Sequence, residues 1–140
     1  MGLWKRLGLD GKKVIYTLAR LDPRERYKGI DEVISVLPWL IREIPDLVYV
    51  IGGKGPDRAR LEEKARSLDL ADRVIFAGFV PEAEKADCYQ LADLFVMPGW
   101  GEGFGIVYLE SAACGVPVLG STLDASAEVI RAAGIGEAVK

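Results

Sequence analysis

Two apolar rhythms take turns along this chain. Short runs rich in β-branched residues, at 14–19, 47–51, 73–77, 92–97, 116–119 and 135–139, have the length of buried strands. Between them, apolar residues recur at three- and four-residue steps, which predicts helices. The first helix spans 29–43 and turns Val33, Leu37, Leu40 and Ile41 inward. A second starts at Pro56 and Asp57 with Leu61, Ala65 and Leu68 inward, a short third passes through Ala86, Tyr89 and Leu91, and a fourth carries Ile106, Leu109 and Ala113. A further helix begins in the stretch STLDAS at 121–126, with Ser121 or Asp124 as its cap. Pro38 should kink the first helix or split it into two turns, because proline removes a donor and crowds the preceding carbonyl. Trp39 beside it is expected to pack rather than to serve as a stacking platform. Strands separated by helices in this way predict an α/β fold, a doubly wound, Rossmann-like parallel sheet of six strands covered on both faces. The expected order is 3-2-1-4-5-6, with the ligand crevice between strands one and four.

Composition makes this one domain. The chain has 140 residues, half of them hydrophobic, which is enough for a core of its own and excludes disorder. We assign 14–140 to the Rossmann-like domain and 1–13, basic and glycine-dotted with Trp4 as its anchor, to a linker or the start of the domain. Charges of 18 basic and 21 acidic residues, net −3, argue against a general nucleic-acid or anionic-membrane surface. With no apolar run of membrane-spanning length and no signal peptide, the expected location is cytoplasmic. Cys88 and Cys114 are too few for a disulfide framework or a zinc site, and Cys114 is expected on the buried side of a helix. The absence of histidine excludes Cys-His and Ser-His catalysis within the chain.

The candidate chemistry gathers at EGFGIVYLE, residues 102–110. Taken alone, Glu102 is a solvated loop acid and Glu110 an ordinary polar helix residue. Gly103 and Gly105, the strand before them and the apolar stripe after them place the pair at a strand-to-helix turn, where ligands of open α/β sheets collect. A helix beginning near Gly105 would put Glu110 about 7–8 Å further along its axis. That suits a phosphate or hexose at the helix tip and a ribose beside Glu110, whose carboxylate accepts hydroxyl hydrogen bonds. A second glycine-rich stretch, GGKG at 52–55, follows strand two. It lacks the third glycine of the dinucleotide fingerprint, so it is either a weak nucleotide signal or a tight turn needing positive φ.

EGFGIVYLE followed by AACGVPVLGS resembles the Glu-x7-Glu signature of the retaining glycosyltransferases with two facing Rossmann-like domains. These have the GT-B fold, and the likeness is to the glycogen-synthase-like and mannosyltransferase-like group, family 4 or glycosyl transferases group 1. It covers residues 14–139 and falls on the nucleotide-sugar-binding C-terminal domain alone. The resemblance implies that Arg20, just after strand one, and Lys28, before the first helix, hold the donor diphosphate and stabilise the departing nucleoside diphosphate. It further implies that Glu102 serves the transferred hexose, with Arg20, Lys28 and Glu102 as the catalytic set. Gly103, Phe104 and Gly105 then bind the donor at the helix tip, Glu110 takes the ribose, and the turn at Val80 lies against the nucleobase. Two departures stand out: Ala19 replaces a frequent glycine, and the 121–126 loop lacks a glycine pair that touches phosphate in many members.

The donor is expected to be a UDP-, GDP- or ADP-linked sugar. No Asp-x-Asp pair is present to hold a divalent ion, so metal independence and no further cofactor are expected. The expected partner is an N-terminal acceptor domain that this sequence does not contain, with no sugar transfer by the chain alone. Leu3, Trp4 and the edge strand at 135–139 would leave apolar surface that favours self-association. Two alternatives remain: half of a nucleotide-sugar epimerase, or a nucleotide-binding module without chemistry. A dinucleotide-dependent dehydrogenase is the outsider.

Overall fold

In a computed structural model of the protein, residues 11–24, 29–96, 110–111, 113–116, 118–121 and 136–139 are described. The expectations for 1–10, for Lys28, Glu102, Gly103, Phe104 and Gly105, and for 122–135 lie outside them. Among the described residues six strands are formed: β1 (Lys13–Leu18), β2 (Leu47–Gly52), β3 (Val74–Gly78), β4 (Leu94–Val96), β5 (Val118–Ser121) and β6 (Gly136–Val139). They pair in parallel in the order β3-β2-β1-β4-β5-β6, as the apolar rhythm predicts. Helices α1 (Ile30–Glu43), α2 (Arg58–Ser67) and α3 (Lys85–Leu91) are the crossovers between the first four strands, and a 3-10 turn at Glu82–Glu84 leads into α3.

Strand alternation assigns the two faces. Tyr16 packs edge-on against Tyr89 of α3 and Phe95 of β4, whereas its neighbour Thr17 reaches the opposite face. There the Thr17 hydroxyl donates to the Val96 carbonyl and shares a 2.7 Å hydrogen bond with the Tyr49 hydroxyl. β1 and β4 pair only through Ile15 with Leu94 and Tyr16 with Phe95, so the Thr17 hydroxyl bridges the two strands where their backbone ladder stops. This is the reversal point of the sheet, where the two halves of a doubly wound fold open a crevice.

The structure corrects the sequence expectations at Trp39, at the start of β5 and at Cys114, and at Pro38 it excludes one of two alternatives. Helix α1 passes through Pro38 as one element and is not split into two turns, because proline removes a single N–H while Ile30, Val33, Ile34 and Leu37 stay buried against the sheet. Trp39 does not pack into the core: it is 57% exposed. It stands two residues from Leu37, about 200° around the helix, and therefore on the solvent face. β5 starts at Val118, two residues later than expected. The Val116 N–H instead closes the preceding helix on the Ser111 carbonyl at 3.1 Å, and the Ser111 hydroxyl returns to the Val116 carbonyl at 3.2 Å. Cys88 is the buried cysteine, and Cys114 is only partly covered at that helix end.

Candidate functional site

Arg20 stands two residues past β1, and backbone hydrogen bonds hold its segment. The Ala19 N–H donates to Gly52 O at 3.1 Å and the Leu21 N–H to Lys54 O at 3.0 Å, while Leu21 O accepts from the Asp57 N–H at 2.8 Å. The ladder between β1 and β2 thus runs on into the loop carrying Arg20. GGKG makes that approach possible. Gly53 has φ 119° and Gly55 φ 156°, and a Cβ on them would stand 1.8 Å from Ala19 O and 2.2 Å from Leu21 O. The Gly53 N–H is already given to Gly78 O at 2.7 Å. These glycines are therefore required by close backbone packing beneath Arg20, which accounts for them without a dinucleotide. Ala19 fits its place with its carbonyl turned to Gly53.

Around Arg20 the surface is shaped by carboxylates. Arg20, Asp22, Asp31 and Asp57 line a shallow depression with Leu21, Ile30 and Leu61 at its floor. The Asp22 carboxyl is held down to about 2, chiefly by hydrogen bonds from the Arg24 side chain and then its backbone, with Arg20 adding its charge. Arg24 is exposed, as expected for a solvated loop residue, but it is paired with Asp22 at 2.7 Å.

Val80 lies on the far side of β2. It is 7% exposed, and its Cγ2 would be 3.1 Å from a Cβ placed on Gly52, with the Tyr16 hydroxyl 2.7 Å from the same point. Its side chain is thus an anchor for the turn after β3. Phe79 next to it is 65% exposed, with the Lys54 ammonium 5.3 Å above its ring.

Glu110 is gripped by α3. Its Oε1 accepts from the Tyr89 hydroxyl at 2.9 Å, and its Oε2 lies 3.7 Å from the Lys85 ammonium. Lys85 also meets Glu82 at 3.1 Å, and that bond, more than Glu110, holds the ammonium protonated above its ordinary range. Burial, and then the bond to Glu110, pushes the Tyr89 phenol far above its ordinary value, so it remains a donor at any working pH. Lys85 opens α3 just after β3 and lies on the carboxyl side of the sheet, the same side as Arg20. A chain of contacts from Val80 through Gly52 and Tyr16 to Tyr89 and Glu110 joins the predicted base turn to the predicted ribose acid.

Lys85, Tyr89, Lys54 and Phe79 were not among the sequence candidates. A four-residue step places Lys85 and Tyr89 on one helix face, which was a readable signal, but nothing in the sequence pointed that face at Glu110. Among the described residues, no group of three or more histidine, cysteine or acidic side chains is arranged to hold a metal ion. No helix among them is long and apolar enough to cross a membrane.

A family model described as Glycosyl transferases group 1 matches residues 4–140. Among curated relatives, a GDP-mannose-dependent alpha-(1-6)-phosphatidylinositol monomannoside mannosyltransferase of Mycolicibacterium smegmatis is 40% identical over 90% of this chain and 34% of its own length. An alpha-monoglucosyldiacylglycerol synthase of Streptococcus pneumoniae is 35% identical over 84% of this chain and 26% of its own. The chain thus spans about a third or less of the curated relatives it matches. Among solved structures, Anabaena HepE in complex with UDP superimposes with a TM-score of 0.82 at 24% identity, covering 98% of this chain and 37% of that one. That likeness shows the fold.

Proposed function

Because this chain belongs to the glycosyl transferases group 1 family, we propose that it is the nucleotide-sugar-binding half of a retaining glycosyltransferase that moves a hexose from a nucleoside diphosphate sugar. The observation that carries the reading is the Glu110 carboxylate, held by Tyr89 and Lys85 on the carboxyl side of the sheet, the side from which Arg20 also emerges. In this reading Glu110 takes the ribose, the Val80 backbone meets the base, and Arg20 with Lys28 holds the diphosphate. Glu102 and the turn Gly103, Phe104 and Gly105 hold the hexose and phosphate at a helix tip. Charge growing on the departing diphosphate is met by guanidinium, ammonium and helix dipole, which allows transfer without a metal. Transfer itself requires a second domain carrying the acceptor, in keeping with the greater length of the relatives.

GDP-mannose is the first donor to test, since several relatives at 37–40% identity are named for it. The experiment is calorimetric titration with GDP, UDP, ADP and NADH. Binding of a nucleoside diphosphate, lost in Arg20→Ala with the melting temperature of the unliganded chain unchanged, is the expected result. NADH binding with none by any nucleoside diphosphate overturns the reading.

A further inference from the structure

The carboxylate proposed to receive the ribose is held by a tyrosine hydroxyl and faced by a lysine ammonium. An ionised carboxylate has about four lone-pair directions, two on each oxygen. In Glu110 the Tyr89 hydroxyl, 2.9 Å away, takes one direction on Oε1, while the Lys85 ammonium, 3.7 Å from Oε2, is an ion pair too long to take one there. At least one direction on each oxygen is left, matching a ligand that brings two adjacent hydroxyl donors. We infer that Tyr89 is a positioning residue that fixes the plane of Glu110, so that its remaining lone pairs receive a vicinal diol and the site selects ribonucleotides over 2′-deoxyribonucleotides. The inference rests on the ribose role of Glu110.

Three features assign the task to Tyr89. Its ring is 1% exposed and locked between Tyr16, centroids 5.8 Å apart at 80°, and Phe95, 5.5 Å at 56°. The hydroxyl therefore has one place to be. A phenylalanine would supply the same ring contacts, so packing alone does not call for the oxygen. Lys85 is less suited: it is about a third exposed, its contact with Glu110 is long, and it is shared with Glu82. A screened ammonium attracts a carboxylate without fixing its plane.

The test is the ratio of 2′-deoxy to ribose dissociation constants, measured calorimetrically with the pairs GDP and 2′-deoxy-GDP, and UDP and 2′-deoxy-UDP. For the natural chain the ratio should be roughly tenfold, the size of one charge-assisted hydrogen bond, and Glu110→Ala should bring it near one. Tyr89→Phe should reduce it to about threefold by weakening the ribose ligand while sparing the deoxy one, with the unliganded melting temperature little changed. If Tyr89→Phe keeps the natural ratio, or weakens both ligands alike, while Glu110→Ala abolishes the ratio, the positioning role is overturned and the ribose reading stands. A ratio that survives Glu110→Ala, or failure of both ribonucleotides to bind, overturns the two together.

Discussion

A buried polar atom in this fold has no use that its surroundings show. The Tyr16 hydroxyl meets no well-formed hydrogen bond among the described residues, and its polar neighbour is the Cys88 thiol, a weak partner. Burial first, and the neighbouring Cys88 second, raise its phenol far above the ordinary range. Removing such an oxygen abolishes a desolvation cost at the expense of no more than a weak thiol contact, so Tyr16→Phe should be neutral or stabilise by up to about 1 kcal/mol in urea denaturation. Glycine behaves in the opposite sense at position 53. A methyl there collides with the Ala19 carbonyl at 1.8 Å and also occupies a left-handed backbone, so Gly53→Ala should cost about 3 kcal/mol or more. Gly11 supplies the control, with φ 75° and nothing within 4 Å of its added Cβ. Gly11→Ala should therefore cost only the backbone strain, about 1 kcal/mol. Equal losses at the two positions would show that the contact beneath Arg20 is dispensable.

Helices α1 and α2 are joined by charge. Arg60 places its guanidinium between Asp31, at 2.8 Å to each oxygen, and Asp57, at 2.8 and 2.7 Å, while Lys64 adds a 3.1 Å bond to Asp31. Asp57 is buried and its N–H holds Leu21 O, so the network also steadies the segment that carries Arg20. Removing the guanidinium breaks four hydrogen bonds and leaves Lys64 alone of these two cations beside Asp31. Arg60→Met should cost about 2 kcal/mol, below the range for fully buried pairs because Arg60 is 34% exposed. The Asp31 carboxyl is lowered from 3.8 to about 2, first by Arg60. A depressed acid contributes its full stability above the unfolded value of 3.8 and loses it as pH falls toward 2. After screening, the contribution is roughly 1 kcal/mol. Urea midpoints measured from pH 5 to about pH 2 should accordingly fall less steeply in Arg60→Met than in the natural chain, if Asp31 is the group that responds.

At the scale of the whole molecule, the strand order sets which loops can share a ligand. β1 and β4 are neighbours, so their carboxyl ends lie side by side, while α3 delivers Lys85 and Tyr89 to the same rim of the sheet. If the donor lies across this rim, its two ends should be separable by mutation. Glu102→Ala should weaken GDP-mannose by a charged hydrogen bond, roughly 1.5–3 kcal/mol, and leave GDP unaffected, whereas Arg20→Ala should weaken both. Calorimetry with both ligands checks this, and equal losses for GDP and GDP-mannose in Glu102→Ala would remove the acid from the sugar.

The alternation of apolar runs and helical spacing was enough to determine the strands, their parallel pairing and their order, because a right-handed crossover leaves few ways to bury both faces of a sheet. It also placed Val80 and Glu110 on the carboxyl side of that sheet. It failed at Trp39, and at Pro38 only the split it allowed is excluded, because tertiary burial of one helix face kept the helix continuous and fixed which residues faced solvent. It left the purpose of GGKG open, since a glycine in sequence does not say whether a ligand or another stretch of backbone comes close. Only the folded chain answered that, by bringing Ala19 and Leu21 against Gly53 and Gly55. The grip of Tyr89 and Lys85 on Glu110 was likewise decided in three dimensions. The two elements are about twenty residues apart, and the angle at which a helix packs sets where its side chains end.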